Sequence, residues 1–232
     1  MANDDPMTLL RGNAFSQAVF AGTFMVEGVN ARKAVVTEAL SLIDHEVIPL
    51  LTADASSVLD VLGPDIVVDA SYTFMKSGLR VGDASVVIGV GSGFMAGEDC
   101  DVVINATPGF DMGRLLYRGS APGPSLPDTI KREKITADTG GLFMPRKRLG
   151  QKVEKGEIIA LAGDGEIRCG SAGVISAQLQ EGLEIYEGTI VAEVDLRGKE
   201  DYGFLISDWD RAISGGVLEV AAAWIADVGA FA

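Results

Sequence analysis

Histidine is almost absent from this 232-residue chain, which carries only His45. The chain has two cysteines, Cys100 and Cys169, and neither lies in a CxxC pair or another metal-ligand spacing. A histidine-based zinc site is therefore disfavoured, and a Ser-His-Asp triad would have to use His45. The low thiol content predicts a reduced, cytoplasmic protein rather than a disulfide-stapled scaffold.

Positive charge is also scarce, with 19 Lys and Arg against 33 Asp and Glu and a net charge of −14. Such a surface repels phosphate backbones and anionic lipid, so we expect neither a nucleic acid nor a membrane as partner. No uninterrupted apolar stretch reaches the roughly 18 residues of a membrane span. The closest, residues 215–232, contains Glu219 and Asp227 and is typical of a docked helix. The acidic N-terminus lacks the features of a signal peptide.

The most informative feature present is an internal repeat. Residues 150–160 (GQKVEKGEIIA) return at an offset of 32 as residues 182–192 (GLEIYEGTIVA), and 141–143 falls on 173–175. The shared G-x-x-[VI]-x-x-G spacing predicts tight turns between short strands, because glycine adopts positive φ without strain. We expect two halves that are related by a pseudo-twofold and close into a flattened barrel, with Val153 and Ile185 pointing inward.

This pattern resembles the barrel-sandwich hybrid of biotinyl and lipoyl domains. In those carriers a lysine on the hairpin between the halves takes the cofactor, and the corresponding hairpin here is Ala162-Gly163-Asp164-Gly165. The chain has no lysine between Lys155 and Lys199, so neither biotin nor lipoate has an acceptor. We therefore interpret this segment as a fold that is used structurally or as a docking surface.

The first part of the chain is typical of an α/β region. Residues 8–30 are interpreted as short strands broken by glycines, and residues 32–43 as a short helix or a linker. A capped helix is predicted at 54–62, and buried strands are predicted at 47–51, 66–70, 85–90 and 101–104. The order strand, helix, strand indicates a parallel sheet of Rossmann-like type.

Three regions follow from these patterns. Residues 1–125 form the α/β region with a glycine-rich turn, 126–200 the barrel-sandwich β domain, and 201–232 a C-terminal helix that packs back on the α/β region. The boundary is placed in the proline-rich connection near 119–130. Ser207 and Asp210 match a capping box at the start of the final helix.

The glycine-rich turn follows the third apolar strand as Gly89-Val90-Gly91-Ser92-Gly93-Phe94-Met95-Ala96-Gly97. Its core matches G-x-G-x-x-[GA], a pattern whose backbone amides can approach a phosphate or another anion. We take Gly89, Gly91, Ser92, Gly93 and Gly97 as candidate ligand-binding residues. Three acidic residues follow at once and oppose an anion unless they face away, so a purely structural turn is the alternative. These acidic residues are Glu98, Asp99 and Asp101.

Two further residues join this candidate site. The downstream acid expected on a ribose would have to be Asp111, although no clear strand precedes it, and Arg114 beside Gly113 could clamp an anion. The alternative for Arg114 is a surface salt bridge. The short basic runs at 131–134 and 146–148 are interpreted as solvated, or else as a docking patch for a partner.

Several segments together resemble one family. They are residues 15–20 with 26–29, 87–97, 113–114, the repeat, and 207–208 with 211–219. In this order they resemble the YqeB-type accessory proteins of the selenium-dependent molybdenum hydroxylase system, from about residue 9 to 225. The chain differs from that pattern in two respects: it starts after the family's first Rossmann-type turn, and Phe110 stands where a histidine usually precedes the Gly-Arg pair.

The resemblance implies a role in maturing selenium-containing molybdenum hydroxylases, with a molybdopterin-type or nucleotide ligand and the target hydroxylase as partner. Two other functions remain open. One is an enzyme acting on a nucleotide or selenium compound, whose acid–base candidates are His45, Asp69, Asp111 and Cys100. The other is a docking scaffold without a small ligand. The glycine- and valine-rich strands of the chain and its apolar final helix also predict a homo-oligomer.

Overall fold

A computed structural model describes residues 5, 7, 9–12, 14–71, 78–123 and 132–229. The chain is a mixed α/β protein with several sheets and a long C-terminal helix. Its strands are β1 (Leu10–Arg11), β2 (Thr23–Val26), β3 (Val29–Lys33), β4 (Ile48–Leu50), β5 (Ile66–Asp69), β6 (Val86–Val90), β7 (Val102–Ile104), β8 (Leu115–Leu116), β9 (Arg132–Thr136), β10 (Gly141–Pro145), β11 (Lys152–Val153), β12 (Ile158–Ala162), β13 (Gly165–Arg168), β14 (Gly173–Gln178), β15 (Glu184–Ile185) and β16 (Ile190–Asp195). Its α-helices are α1 (Ala18–Ala21), α2 (Ala39–Ile43), α3 (Ala55–Leu62) and α4 (Asp208–Gly229), with 3₁₀ turns at Phe15–Gln17, Val36–Glu38 and Glu200–Gly203.

The chain divides into two compact units. The first unit comprises Met1–Thr52 and Ile130–Ile206, and the second comprises Ala53–Thr129 and Ser207–Ala232. The regions predicted from sequence (1–125, 126–200 and 201–232) run consecutively along the chain, whereas these units group the first 52 residues with the repeat. The predicted boundary at 125/126 lies outside the described residues.

The repeat of the first unit builds two sheets from alternating pieces of both copies. The first sheet has the order β13-β12-β10-β15, and the second sheet joins β9, β16 and β14, with β1 and β11 both paired to β14. At the offset of 32, β12 and β10 of the first sheet correspond to β16 and β14 of the second. The two sheets therefore have the same strand arrangement. The short outer strand of each comes from the other copy of the repeat: β15 in the first sheet and β11 in the second.

Hydrogen bonds at the repeat turns are reciprocal. The Gly150 amide donates to the Ile175 carbonyl at 2.8 Å, and the equivalent Gly182 amide donates to the Phe143 carbonyl at 2.9 Å. Both glycines have positive φ, +81° and +86°, as tight turns require. The exchange of partners between copies is what a pseudo-twofold predicts.

The two sheets share one hydrophobic core. Val153 and Ile185 are both buried in it, as predicted. Its other buried members are Ile135, Ala137, Phe143, Ile159, Ala160, Ala162, Ile167, Cys169, Ile175, Leu179, Val191, Ala192 and Val194. The prediction of a closed barrel is wrong for the described residues, because their strands pair as two separate sheets.

The N-terminal segment of the first unit forms a three-stranded sheet in the order β2-β3-β4. Residues 18–20 were expected to form a strand but form α1, because Ala18 and Val19 bury their side chains against Ala31 and Leu50 from a helical turn. The predicted strand at 47–51 is present as β4 but pairs in parallel with β3. It therefore does not extend the parallel sheet of the second unit.

The second unit contains the parallel sheet predicted from sequence. Strands β5, β6 and β7 are parallel neighbours, and β8 pairs antiparallel with β7. Helix α3 begins as predicted at Asp54, whose carboxylate accepts from the Ser57 amide at 3.0 Å, and it ends at Gly63 in the left-handed conformation.

Helix α4 packs on this sheet through Ile213 and Val220. Its predicted capping residues are confirmed, because the Ser207 hydroxyl contacts the Asp210 carboxylate at 2.7 Å and accepts from its amide at 3.1 Å. None of the helices in the described ranges combines the length and the apolar character needed to span a bilayer.

Candidate functional site

The candidate site lies at the carboxyl edge of the parallel sheet in the second unit. Strand β5 ends at Asp69, which pairs with Gly89, and Val90 at the end of β6 pairs with Ile104. Gly91 and Asn105 therefore leave neighbouring strands side by side. Ligands of open parallel sheets bind at this edge, so these strand ends are the place where a ligand would be held.

The glycine-rich turn is built around a buried aromatic ring. Phe94 folds back onto β6 so closely that a Cβ atom on Gly89 would lie 2.5 Å from its ring. Gly91, Gly93 and Gly97 have positive φ values of +86°, +102° and +89°. Glycine is thus required at Gly89 by packing and at the other three positions by backbone conformation.

Most amides of this turn are already bonded within the protein. Gly91 donates to the Ile104 carbonyl at 2.9 Å, and Met95 donates to the Asp99 carboxylate at 2.9 Å. Within the described ranges, the amides of Ser92, Gly93 and Phe94 have no hydrogen-bond partner. The turn can therefore offer the adjacent amides of Ser92 and Gly93 to an anion, while the Asp99 carboxylate accepts from the Met95 amide.

Asp69 is the most unusual side chain at this edge, because it is only 5% exposed. Its Oδ1 accepts from the Ser71 amide at 3.0 Å, whereas its buried Oδ2 has no hydrogen-bond partner in the part of the chain that the structure describes. A buried polar atom that lacks a partner costs about 1–3 kcal/mol. A ligand hydroxyl or amine that donated to Oδ2 would remove this cost.

Asn105 lies at the end of β7 and is buried like Asp69. Its Oδ1 accepts from the Thr107 amide at 2.8 Å, so that Asn105, like Asp69, ends its strand with a side-chain hydrogen bond to the amide two residues later. Asn105 was not among the sequence predictions. The signal was nevertheless present, since a single polar residue closes an otherwise apolar run at both Asp69 and Asn105.

The predicted pair Asp111 and Arg114 lies in the loop between β7 and β8. The Arg114 carbonyl accepts from the Asn105 amide at 2.9 Å, which puts this loop beside the same edge. The Arg114 side chain, however, contacts Asp111 at 3.0 Å, and the two side chains are 57% and 60% exposed. This geometry matches the surface salt bridge that was the alternative for Arg114.

The acid–base candidates of the enzyme hypothesis are not assembled into a catalytic group. Burial raises the pKa of the Cys100 thiol, and Asp99, Asp101 and Asp69 raise it further, so Cys100 is a poor nucleophile. His45 belongs to the first unit, where its exposed ring contacts the Ser41 carbonyl. Among the residues that the structure describes, no three His, Cys, Asp or Glu side chains converge as metal ligands.

A cavity of about 470 Å³ lies elsewhere in the second unit, beside α3. Three carboxylates line it, from Asp54, Asp60 and Asp83. The pKa of Asp54 is held well below its usual range by the Ser56 hydroxyl and by the amide and hydroxyl of Ser57. This carboxylate is thus already engaged in capping α3, and none of the predicted site residues lines the cavity.

Comparison with known proteins gives one long alignment. The chain is 38% identical to "Uncharacterized protein YqeB" of Escherichia coli (strain K12) over 213 residues, which cover 89% of this chain and 39% of that protein. The similarity supports a YqeB-type protein, and the chain spans about two fifths of the length of this curated relative. No family model matches the chain.

Solved structures give only partial likeness. An aspartoacylase family protein from Mesorhizobium loti is 22% identical over 27% of this chain and 23% of its own, with a TM-score of 0.24. The ectoine utilization protein EutE (DoeB) from Ruegeria pomeroyi is 26% identical over 35% of this chain and 28% of its own, with a TM-score of 0.25. Scores this low carry no argument about fold or function.

Proposed function

We propose that this chain is a YqeB-type accessory protein in the maturation of selenium-dependent molybdenum hydroxylases. It would hold a molybdopterin-type or nucleotide ligand, or present it to the target enzyme, at the carboxyl edge of the parallel sheet. The proposal follows the family resemblance of the sequence and the long alignment with YqeB. As part of this proposal, the parallel sheet is of Rossmann-like type and the repeat has a barrel-sandwich type of fold.

One observation carries the ligand site: Asp69, whose buried Oδ2 has no hydrogen-bond partner among the described residues, ends the strand next to the one that leads into the open amides of Ser92 and Gly93. A ligand that fits both must bring hydrogen-bond donors for the carboxylate and an anionic group for the amides. Molybdopterin and nucleotides have this combination, because each joins ring N–H or hydroxyl groups to a phosphate. The neighbouring carboxylates oppose the anionic group, so the donors to Asp69 have to supply part of the affinity.

Among the described residues, no nucleophile and base are assembled at this edge, which favours binding of a ligand over catalytic turnover. Cys100 is buried with a raised pKa, and Asp111 is engaged with Arg114. We therefore assign Asp69, Ser92 and Gly93 to ligand contact and none of them to catalysis.

Native mass spectrometry of the purified chain tests the proposal. The protein is incubated with the dinucleotide form of molybdopterin or with common nucleotides, and a retained ligand mass is expected. Asp69→Asn and Gly93→Asp should each abolish retention. Gly28→Asp is the matched control, because Gly28 has a similar φ of +88° and open space around its Cβ position.

A spectrum without ligand under every condition would overturn ligand handling and leave the docking scaffold. Loss of retention in Gly28→Asp as well would show that added charge, rather than the turn, governs binding. Circular dichroism of each variant verifies that it is folded.

A further inference from the structure

A second site is suggested by an arginine cluster in the first unit. The cluster consists of Arg11 on β1, Arg132 at the start of β9 and Arg197 just after β16. All three belong to the second sheet or its margin, on the face opposite the shared core. Their side chains are between 31% and 37% exposed, so they are accessible from solvent without being fully hydrated.

Two buried carboxylates anchor this cluster. The Asp195 carboxylate accepts hydrogen bonds from Arg197, whose Nε lies 2.9 Å from Oδ1 and 3.1 Å from Oδ2. Glu193 Oε2 lies 2.9 Å from Arg11 Nη2. Both pairs bring opposite charges into contact at a largely dehydrated position, where they are strong.

Arg132 has no comparable partner among the described residues. Its Nη1 lies 3.9 Å from Glu193 Oε2, which is beyond hydrogen-bond distance. Within the ranges that the structure describes, its guanidinium group donates no hydrogen bond. Three guanidinium groups thus face two carboxylates, and the surplus positive charge is at Arg132.

The local electrostatics agree with this count. Burial lowers the pKa of Arg132, and the positive charges of Arg11 and Arg197 act in the same direction, against the opposing effect of Glu193 and Asp195. An additional anion at this point would lower the free energy of the cluster, because it would supply both a counter-charge and hydrogen-bond acceptors.

The cluster is not a requirement of the repeat. At the offset of 32, Glu193 corresponds to Leu161, Asp195 to Gly163, and Arg132 to Asp164. The first sheet therefore has the same strands and shares the core, but the positions equivalent to Glu193, Asp195 and Arg132 hold no arginine–carboxylate pair. A feature that only one of two equivalent sheets has is more easily explained by binding than by folding.

We propose that the arginine cluster is a binding site for a phosphate group of a small-molecule ligand, with Arg132 as the principal donor. Guanidinium groups recognise phosphate by paired N–H donors, and a tetrahedral oxyanion can accept from donors on three sides. The site lies in the first unit and is independent of the ligand site proposed for the second.

Thermal unfolding with inorganic phosphate as the probe tests this site. Melting temperatures are compared in phosphate, acetate and chloride at equal pH and ionic strength, for the wild type and for Arg132→Gln. Phosphate also stabilises proteins by general exclusion from their surface. The informative quantity is therefore the phosphate-dependent shift that the wild type has in excess of Arg132→Gln.

We expect this excess to rise with phosphate concentration and to level off, as saturable binding requires. Arg146→Gln, an exposed arginine on another part of the same unit, should keep the full wild-type shift. Arg132→Lys should recover only part of it, since lysine keeps the charge but lacks the paired donors.

Equal phosphate shifts in the wild type and Arg132→Gln would overturn the site. An equal excess with acetate would overturn the assignment to phosphate. Far-UV circular dichroism and an unchanged denaturant m value confirm that Arg132→Gln is folded, so that loss of the shift reports binding.

Discussion

The two sheets of the first unit have the same inner face and different outer faces. Equivalent inward positions are apolar in both, as at Phe143 and Ile175. The outward positions differ, since Leu161 on β12 and Gly163 just after it correspond to Glu193 and Asp195 of the second sheet. The comparison teaches that the shared core and the turn glycines specify the fold, whereas the outer face is free to acquire charge and a binding role.

The largest expected effect tests the equivalence of the inner faces. Phe143→Ala should lower the free energy of unfolding by about 3–5 kcal/mol, and Ile175→Ala by about 2–5 kcal/mol, because both leave cavities in a closely packed core. Both side chains are fully buried. Urea unfolding with an unchanged m value measures the two costs. A cost below about 1 kcal/mol for either would show that its sheet does not need the shared core.

A second test separates two glycines that share a backbone conformation. Gly182 has open space around its Cβ position, so Gly182→Ala should cost only the strain of positive φ, about 1–2 kcal/mol. A Cβ on Gly150 would lie 2.2 Å from the Phe204 ring, so Gly150→Ala should cost about 1 kcal/mol more.

The double variant Gly150→Ala with Phe204→Ala provides the control for this difference. Removal of the ring should make the added methyl group less costly than it is in the wild-type background. Equal costs for Gly150→Ala and Gly182→Ala would mean that the half-exposed Phe204 ring moves aside freely.

The equivalence of the inner faces could be predicted from the sequence, because the repeat fixes both the glycines and the apolar residues. Helix α3, its cap at Asp54 and the parallel strands were also predictable from local patterns. The pairing of β4 with β3 was not, since strand partners depend on contacts far apart in sequence. Residues 18–20 form a helix because tertiary burial overrides their alternating pattern.

For the candidate site, the sequence predicted the glycine-rich turn but not the state of its amides. The engagement of Met95 by Asp99 depends on side-chain geometry. Asp69 was named only as an acid–base candidate, because its burial and its unpartnered oxygen cannot be seen in the sequence. The arginine cluster was missed for a similar reason: Arg11, Arg132 and Arg197 are far apart along the chain and meet only through strand pairing.

The charged outer face predicts a pH dependence for the second sheet. Burial raises the pKa of Asp195, but hydrogen bonds from Arg197 outweigh it, so that the pKa lies below its usual value. The ionised form therefore stabilises the folded state above the ordinary aspartate pKa of about 3.9, and this contribution is lost as the pH falls through the lower, folded value. Asp195→Asn should cost about 1–3 kcal/mol at pH 7, because Arg197 loses its partner.

Denaturant titrations from pH 7 to pH 3 measure this dependence. The difference between the wild type and Asp195→Asn should shrink as the medium becomes more acidic. Ser176→Ala is a matched control on the same face, since its hydroxyl donates to the Glu193 carbonyl but does not titrate in this range. A difference for Asp195→Asn that stayed constant with pH would show that its charge does not contribute.

The smallest expected effect compares two arginines that each contact a carboxylate two residues earlier. Arg168 pairs with Glu166 on the first sheet, where the side chains are 53% and 47% exposed. Arg168→Ala should therefore change the free energy of unfolding by less than about 1 kcal/mol, since water replaces both this contact and the hydrogen bond from Arg168 to the Gly156 carbonyl. Arg197→Ala should cost more, because it removes the partner of the buried Asp195. Equal costs in urea unfolding would mean that the buried pair is no stronger than the exposed one, and that the outer faces of the two sheets differ in composition without differing in energy.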